Sequence, residues 1–122
     1  MRVLVCGGRK YADPACVWRT LDKISRERGG ISCVIDGASD DVTGPYIGAD
    51  YWANQWAMAR DIGAVRCHAE WKTQGRAAGP IRNRRMRDEW EPDLVIAFPG
   101  GNGTMNMIEL AEQAGIEILR IG

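Results

Sequence analysis

The chain alternates short apolar runs with longer segments whose apolar residues recur every three or four positions. Residues 3–6 and 94–98 are runs of the first kind, which are typical of buried strands. Asp13 followed by Pro14 predicts a helix start, because a capping carboxylate and a proline are both favoured there. The pattern predicts strands over residues 2–6, 31–35, 64–68, 94–98 and 116–121, and helices from residue 14 to Gly29, over 49–62 and 80–90, and from Thr104 to Gly115.

This alternation predicts a parallel sheet covered by helices on both faces, because parallel strands are joined by helical crossovers that lie against the sheet. Right-handed crossovers leave few arrangements of five such strands. We therefore predict a single-domain α/β fold, a Rossmann-like three-layer sandwich with a parallel five-stranded sheet in the order 3-2-1-4-5. In this order the first and fourth strands are neighbours.

The first and fourth predicted strands both run directly into glycines. Gly7 and Gly8 follow the first strand, and the fourth is followed by Pro99, Gly100, Gly101, Asn102, Gly103 and Thr104. Glycines let backbone N–H groups approach an anion, and Thr104 is suited to cap a helix whose N-terminus also favours negative charge. Taken alone, each loop is equally compatible with an ordinary tight turn. Because ligands of open parallel sheets bind outside the carboxyl ends of the strands, the two loops together predict one phosphate-binding crevice.

Basic residues stand close to these loops. Arg9 and Lys10 follow Gly8 and carry charge that would balance a phosphate. Arg82 and Asn83 fall in the first turn of the helix predicted over residues 80–90, on the carboxyl-end side of the sheet. We expect Arg82 to reach the same ligand, because its guanidinium binds phosphate or carboxylate through two donors.

Two aspartates are candidates for contact with a ribose. Asp36 ends the second predicted strand beside Gly37, and Asp50 stands at the start of the helix predicted over residues 49–62. A carboxylate at either position can accept hydrogen bonds from sugar hydroxyls. Helix capping is the alternative, and for Asp50 it is at least as well supported.

Three aromatic residues are candidates for stacking on a base. Tyr11, Trp52 and Trp71 either stack or belong to the core or an interface, which is the commoner role of aromatics in α/β domains. We favour Trp71 for stacking because it falls in a stretch, residues 70–80, that shows no helical or strand period and is predicted to be a loop.

Composition narrows the choice of partners. Sixteen basic and sixteen acidic residues give a formal net charge of zero, which does not favour a polyanion or an acidic membrane surface as partner. The local exception is the arginine cluster of residues 82–87. Within it we expect Arg84 and Arg87 on a solvated face and Arg85 in an exposed ion pair with Glu89, four residues on.

The cysteines and the short apolar runs argue against a metal-binding protein and against a membrane-spanning one. The four cysteines lack a C-x-x-C pair, so we expect reduced thiols, no metal site and no cofactor. No stretch approaches the roughly 20 apolar residues of a membrane span, and the N-terminal apolar run is too short for a signal peptide. We therefore expect a cytoplasmic protein without a membrane partner.

The ordered set of motifs resembles the SLOG superfamily, the Rossmann-like group that contains the DNA-processing protein DprA and the Lonely Guy (LOG) proteins, and is most similar to its small YspA-core family. The resemblance implies a nucleotide or nucleotide-derived ligand and a homodimer. The matching residues are V-L-V-C-G-G-R at 3–9, I-D-G at 35–37, G-A-D at 48–50 with Trp56 and Ala57, Trp71, G-P-x-R-N-x-x-M at 79–86, and Pro92 and Asp93 leading to P-G-G-x-G-T at 99–104.

Two departures limit what the resemblance implies. LOG phosphoribohydrolases carry P-G-G-x-G-T-x-x-E and R-K-x-x-M segments whose Glu and Arg are regarded as catalytic. Here the Glu position is Met107 and the Lys position is Asn83, while Arg82 is kept. Glu109 is two residues further on, which turns it roughly 200° around a helix. The second departure is the stretch 38–47, which is longer than the usual link to G-A-D and is expected to reshape the pocket.

Three functions remain open from the sequence. The first is a nucleotide-binding or sensing domain without catalysis. The second is an N-glycosidic hydrolase acting on a nucleoside monophosphate, in which Arg82 holds the substrate and Asp36, Asp50 or Glu109 supplies the carboxylate. The third, which neutral charge disfavours, is binding of single-stranded nucleic acid through the arginine cluster and Trp71.

Overall fold

The computed structural model describes residues 1–39 and 48–122, which form one sheet with helices on both of its faces. A 3₁₀ turn, Gly75–Ala77, joins the third helix to the fourth. In chain order the elements are β1 (Arg2–Cys6), α1 (Pro14–Glu27), β2 (Cys33–Asp36), α2 (Ala49–Ala59), β3 (Gly63–Arg66), α3 (Trp71–Gln74), α4 (Ala78–Trp90), β4 (Leu94–Ala97), α5 (Asn102–Gln113) and β5 (Glu117–Arg120).

The five strands are all parallel and lie in the order β3-β2-β1-β4-β5. In the centre, Leu4 of β1 stands beside Ile35 of β2 on one side and Val95 of β4 on the other. The predicted fold class and strand order are therefore confirmed. Because β1 and β4 are adjacent, the two glycine loops leave the sheet side by side.

Side chains alternate between the two faces of the sheet and build a separate core on each. Val3 and Val5 of β1 pack with α1 and α2, where Trp56 is almost completely buried. Leu4 points to the opposite face and packs with α4 and α5 through Met86 and Met107. The arrangement confirms three layers, because β1 is buried on both sides as central strands of parallel sheets are.

Helix starts differ from the prediction at two places. The segment predicted as a loop over residues 70–80 contains α3 and the 3₁₀ turn, and α4 begins at Ala78 rather than at Pro80. Pro80 is compatible with an earlier start, because the first N–H groups of a helix have no intrahelical partner and a proline there loses no bond. Arg82 and Asn83 consequently lie in the second turn of α4, not in its first.

The start of α5 also differs. The helix begins at Asn102 with Gly101 at the N-cap, and no side chain caps it. The prediction that Thr104 is the cap was therefore wrong, since Thr104 lies inside the first turn. By contrast, Asp13 caps α1 as predicted, accepting a hydrogen bond from the backbone N–H of Cys16 at 3.0 Å with Pro14 as the first helical residue.

The expectation for the long link concerns residues 38–47, of which 40–47 lie outside the described residues. Across the described ranges, no helix has the length and apolar character needed to cross a membrane.

Candidate functional site

A cleft of about 680 Å³ opens where β1 and β4 end, within the range of small-molecule pockets. Its walls come from both glycine loops, from the loop after β2, from the first turns of α2 and α5, and from the second and third turns of α4. The predicted residues that line it are Gly7, Gly8, Arg9, Lys10, Gly37, Asp50, Arg82, Asn83, Pro99, Gly100, Gly101, Gly103 and Thr104.

The turn after β1 is packed so closely that glycine is required in it and around it. The N–H of Gly8 donates to the carbonyl oxygen of Pro99 at 2.9 Å, which joins the two loops directly. A Cβ at Gly7 would lie 2.8 Å from the Cβ of Ala49. One at Gly48 would overlap the carbonyl oxygen of Gly8. The start of α2 therefore rests on the backbone of the first glycine turn.

The glycines of the second loop divide into two kinds. A Cβ at Gly100 would collide with the hydroxyl of Thr104 and lie 2.7 Å from the N–H nitrogen of Gly8, so this residue packs the loops together. Gly101 and Gly103 have no atom within 4 Å of an added Cβ. The first helical bond of α5 runs from Met105 N–H to Gly101 oxygen, so the N–H groups of residues 102–104 precede the helical ladder. These features are those of backbone anion sites.

Arg82 is buried at the back of the cleft. Its Nη1 donates to the carbonyl oxygen of Gly37, and its Nε donates to Oδ1 of Asn83 at 2.9 Å. A Cβ on Gly37 would lie 2.9 Å from the Arg82 guanidinium carbon. Burial lowers the pKa of Arg82, and the nearby Asp50 carboxylate works in the opposite direction.

Asn83 connects Arg82 with the second glycine loop. Its Nδ2 donates to the carbonyl oxygen of Gly103 at 3.2 Å and to Oδ1 of Asn106 at 2.9 Å. The amide thus accepts from one side and donates to the other, which a lysine at this position could not do because it has no acceptor. The departure from the R-K-x-x-M pattern has a structural role here.

Asp50 projects from the first turn of α2 into the cleft. Its Oδ2 accepts hydrogen bonds from the N–H groups of Gly37 at 3.2 Å and Ser39 at 3.1 Å, so it holds the loop after β2 rather than capping its own helix. Burial raises the pKa of Asp50 to about 6, against the lowering effect of these N–H groups and of Arg82.

Asp36, one of the candidates for a catalytic carboxylate, does not line the cleft. The carboxylate is fully buried and accepts from Nε of Arg66 at 3.0 and 3.3 Å and from the N–H of Ala38 at 2.7 Å. Asp36 and Arg66 are register partners on β2 and β3, so each is the nearest neighbour of the other across the strands. Burial and the Asp50 charge raise the pKa of Asp36 to about 7, although Arg66 opposes this.

Three other predicted residues are also absent from the cleft lining within the described part of the chain: Trp71, Asn102 and Glu109. Trp71 is 53% exposed on α3, with its ring against Gly79. Glu109 is exposed on α5, as expected from the helical rotation. The position of the LOG glutamate is taken by Met107, which is completely buried in the core beneath α4 and α5.

The cleft includes one of the three aromatic candidates and also residues that the sequence did not assign to it. Tyr11 lines it, with its ring 5.4 Å from that of Phe98, whereas Trp52 packs against the core. Ser39 and Cys6 line it as well, and burial raises the pKa of the Cys6 thiol. Of these residues, Cys6 could have been assigned to the site from the sequence, because it is the last residue of β1 before the glycines. A protonated thiol is a poor nucleophile.

Two of the four arginines of the cluster on α4 form ion pairs with acidic neighbours on the same helix. Arg85 and Glu89 form the predicted exposed pair at 3.9 Å. Arg87 pairs with Asp88 at 2.7 Å, while Arg84 is exposed as expected. Among the described residues, no three His, Cys, Asp or Glu side chains are grouped so as to hold a metal ion.

The all-parallel sheet with this strand order and a cleft at its carboxyl edge defines a Rossmann-like α/β protein. Within that class, the chain belongs to the YspA, cpYpsA-related SLOG family (YAcAr), whose family model matches residues 1–73. The predicted SLOG membership is therefore confirmed. The match covers the first glycine turn and Asp50 and ends before α4. No individual curated protein matches the sequence.

Proposed function

We propose that this protein binds a nucleotide or nucleotide-derived small molecule in the cleft at the carboxyl ends of β1 and β4, as a binding or sensing domain. One observation carries the proposal: two glycine loops from opposite ends of the chain meet there around the buried side chains of Arg82 and Asp50. A site of this kind offers backbone donors, positive charge and a carboxylate within one cavity.

The phosphate group is assigned to the glycine side of the cleft. Gly101 and Gly103 leave open space above the backbone, and the first turn of α5 supplies unbonded N–H groups and the positive end of the helix dipole. Arg9 and Lys10 also line the cleft and supply positive charge. We assign the base to the side of Tyr11, whose ring packs on Phe98.

The first prediction is that AMP or ADP-ribose stabilises the protein, while adenosine, which lacks the phosphate, does so far less. A ligand at 100 times its dissociation constant adds about 2.7 kcal/mol to the free energy of unfolding. Arg9→Ala should weaken AMP binding about tenfold, because a charged contact to phosphate is lost. The measurement is thermal unfolding with calorimetric titration.

Arg85→Ala is the matched control for Arg9→Ala. Both side chains are exposed arginines, but Arg85 lies on α4 outside the cleft lining, so its loss should leave AMP affinity unchanged. Equal effects of the two substitutions would point to nonspecific charge attraction. Absence of stabilisation by every nucleotide tested would refute the proposal.

The hydrolase remains an alternative because Asp50 places a carboxylate in the cleft beside Arg82, with a pKa raised to about 6 by burial, near the range suited to proton transfer. The position of the LOG glutamate, however, carries buried Met107. Free adenine accumulating in the AMP titration samples would favour the hydrolase, and intact AMP favours binding alone.

A further inference from the structure

The carboxylate of Asp50 has one oxygen that the protein uses and one that it does not. Oδ2 accepts the two N–H groups of the loop after β2. Oδ1 is buried and has no hydrogen-bond partner within the described residues. Asp50 as a whole is 3% exposed and lines the cleft. Buried polar atoms are nearly always paired, so an unpaired carboxylate oxygen on a residue that lines a cavity points to a donor supplied by a bound ligand.

The nearby Asp36 is a second buried carboxylate, and its partners differ from those of Asp50. In dinucleotide-binding folds the acid that holds the ribose stands near the end of the second strand. Here Asp36 ends β2, but its carboxylate accepts hydrogen bonds from Arg66 and from the N–H of Ala38, and the residue does not line the cleft. Asp50, which comes from α2, is the carboxylate that opens onto the cavity.

The charges of the cleft restrict what the missing donor can be. Arg9, Lys10 and the buried Arg82 make the cavity suitable for an anion, which disfavours a cationic amine as the group at Asp50. A molecule that carries an anion at one end and neutral O–H donors at the other meets both requirements. A ribose phosphate is such a molecule.

We infer that Oδ1 of Asp50 accepts a hydrogen bond from a ribose hydroxyl of the bound nucleotide, so that the cleft selects ribonucleotides over their deoxy analogues. This inference rests on the proposed function and adds the sugar class of its ligand. A hydroxyl that donates to a carboxylate forms a charge-assisted hydrogen bond. A deoxy analogue cannot form this bond and leaves the buried oxygen without a partner.

The test compares AMP, 2′-deoxy-AMP and 3′-deoxy-AMP by calorimetric titration on the wild-type chain. We expect at least one deoxy analogue to bind about 10- to 100-fold more weakly than AMP, and the analogue affected identifies the hydroxyl. Equal affinities for all three nucleotides would overturn the inference. This series uses only the wild-type protein, so it holds whether or not a variant folds.

Asp50→Asn tests the residue assigned. The amide oxygen can keep the two N–H groups of the loop while the NH₂ group replaces Oδ1, so the fold is retained and the charged acceptor is lost. We expect the AMP to deoxy-AMP ratio to fall about tenfold toward unity. If Asp50 only held the loop, the substitution would weaken all three nucleotides equally and leave the ratio unchanged, which would overturn the inference.

Asp36→Asn is the matched control, because it neutralises a buried carboxylate of the same neighbourhood that does not line the cleft. Its ratio should equal that of the wild type, and a fall as large as that of Asp50→Asn would overturn the assignment. The two levels of the proposal fail differently. If deoxy-AMP binds as well as AMP, the sugar inference fails and the function stands. If no nucleotide binds, both fail.

Discussion

At the residue scale, Asp36 and Asp50 show how two carboxylates of similar burial acquire different roles. Both were candidates for the same chemistry from their positions in the sequence. The register of β2 against β3 sets Asp36 beside Arg66, whereas the first turn of α2 directs Asp50 into the cleft. The sequence identified the residue type and the end of the sheet, but the direction of each side chain depends on strands that are far apart in the chain.

The burial of these two carboxylates predicts a pH dependence of stability. Burial raises the pKa of Asp36 to about 7 and that of Asp50 to about 6, above about 3.9 in an unfolded chain. Between these values the native state binds more protons than the unfolded state, so their contribution to stability is fully present below about pH 4 and is lost as pH rises through 6 to 7. The pKa of Asp22 is lowered instead, by its hydrogen bonds from Trp56 and Arg60, so the pH dependence of the wild type combines opposing contributions. The effect of one carboxylate is therefore measured as the difference in stability between a variant and the wild type.

We therefore expect Asp36→Asn to gain stability relative to the wild type as pH rises from 4 to 8, with the gain levelling off above about pH 7. The asparagine has no ionisation, and so it escapes the cost of a buried charge. Chemical denaturation at intervals of one pH unit measures the difference. A difference that stays constant with pH would show that Arg66 keeps Asp36 at its ordinary pKa.

At the element scale, the glycine loops carry both the packing and the open surface of the cleft. Gly48 and Gly100 fill positions where a side chain has no room, while Gly101 and Gly103 face open space. The sequence predicted that glycines would be needed, but it did not distinguish these two kinds. The distinction depends on which backbone segment lies opposite each glycine. Gly100 lies opposite Gly7 and Gly8 because β1 and β4 are adjacent in the sheet.

This division predicts opposite effects of the same substitution. Gly100→Ala should cost about 1–3 kcal/mol of unfolding free energy, because its Cβ meets the Gly8 backbone nitrogen at 2.7 Å as well as the Thr104 hydroxyl. Gly103→Ala in the first turn of α5 should gain up to about 1 kcal/mol, since alanine favours the helix and nothing lies within 4 Å. Urea unfolding compares the two, and similar changes would contradict the assignment.

At the scale of the whole molecule, charge is balanced overall, and two of the four arginines of the α4 cluster are paired with acidic side chains. The formal net charge is zero, and Arg85 and Arg87 are paired with Glu89 and Asp88 on the same helix. Exposed pairs of this kind add little stability, but they reduce the positive potential of α4. The homodimer that the family resemblance implies stays a prediction, and sedimentation with and without AMP would test it.

This balance predicts that single-stranded DNA binds with little dependence on salt. Each phosphate neutralised contributes a slope of roughly −0.7 to log K against log salt concentration, so we expect a slope weaker than about −1 for a 20-nucleotide strand. Fluorescence anisotropy between low and moderate salt measures it. A slope of about −3 or steeper would mean that the α4 arginines abandon their acidic neighbours for phosphate, and would restore nucleic acid as a partner.

The sequence by itself determined the α/β class, the strand order and the two glycine exits, because hydrophobic periodicity and turn residues are local signals and right-handed crossovers restrict how they combine. It also indicated Arg82. Only the tertiary structure decided that Asp50 rather than Asp36 opens onto the cleft, that Asn83 connects two helices, and that Tyr11 rather than Trp71 lines the site. These outcomes depend on contacts between residues remote in the chain, and the spacing of residues along the sequence does not specify such contacts.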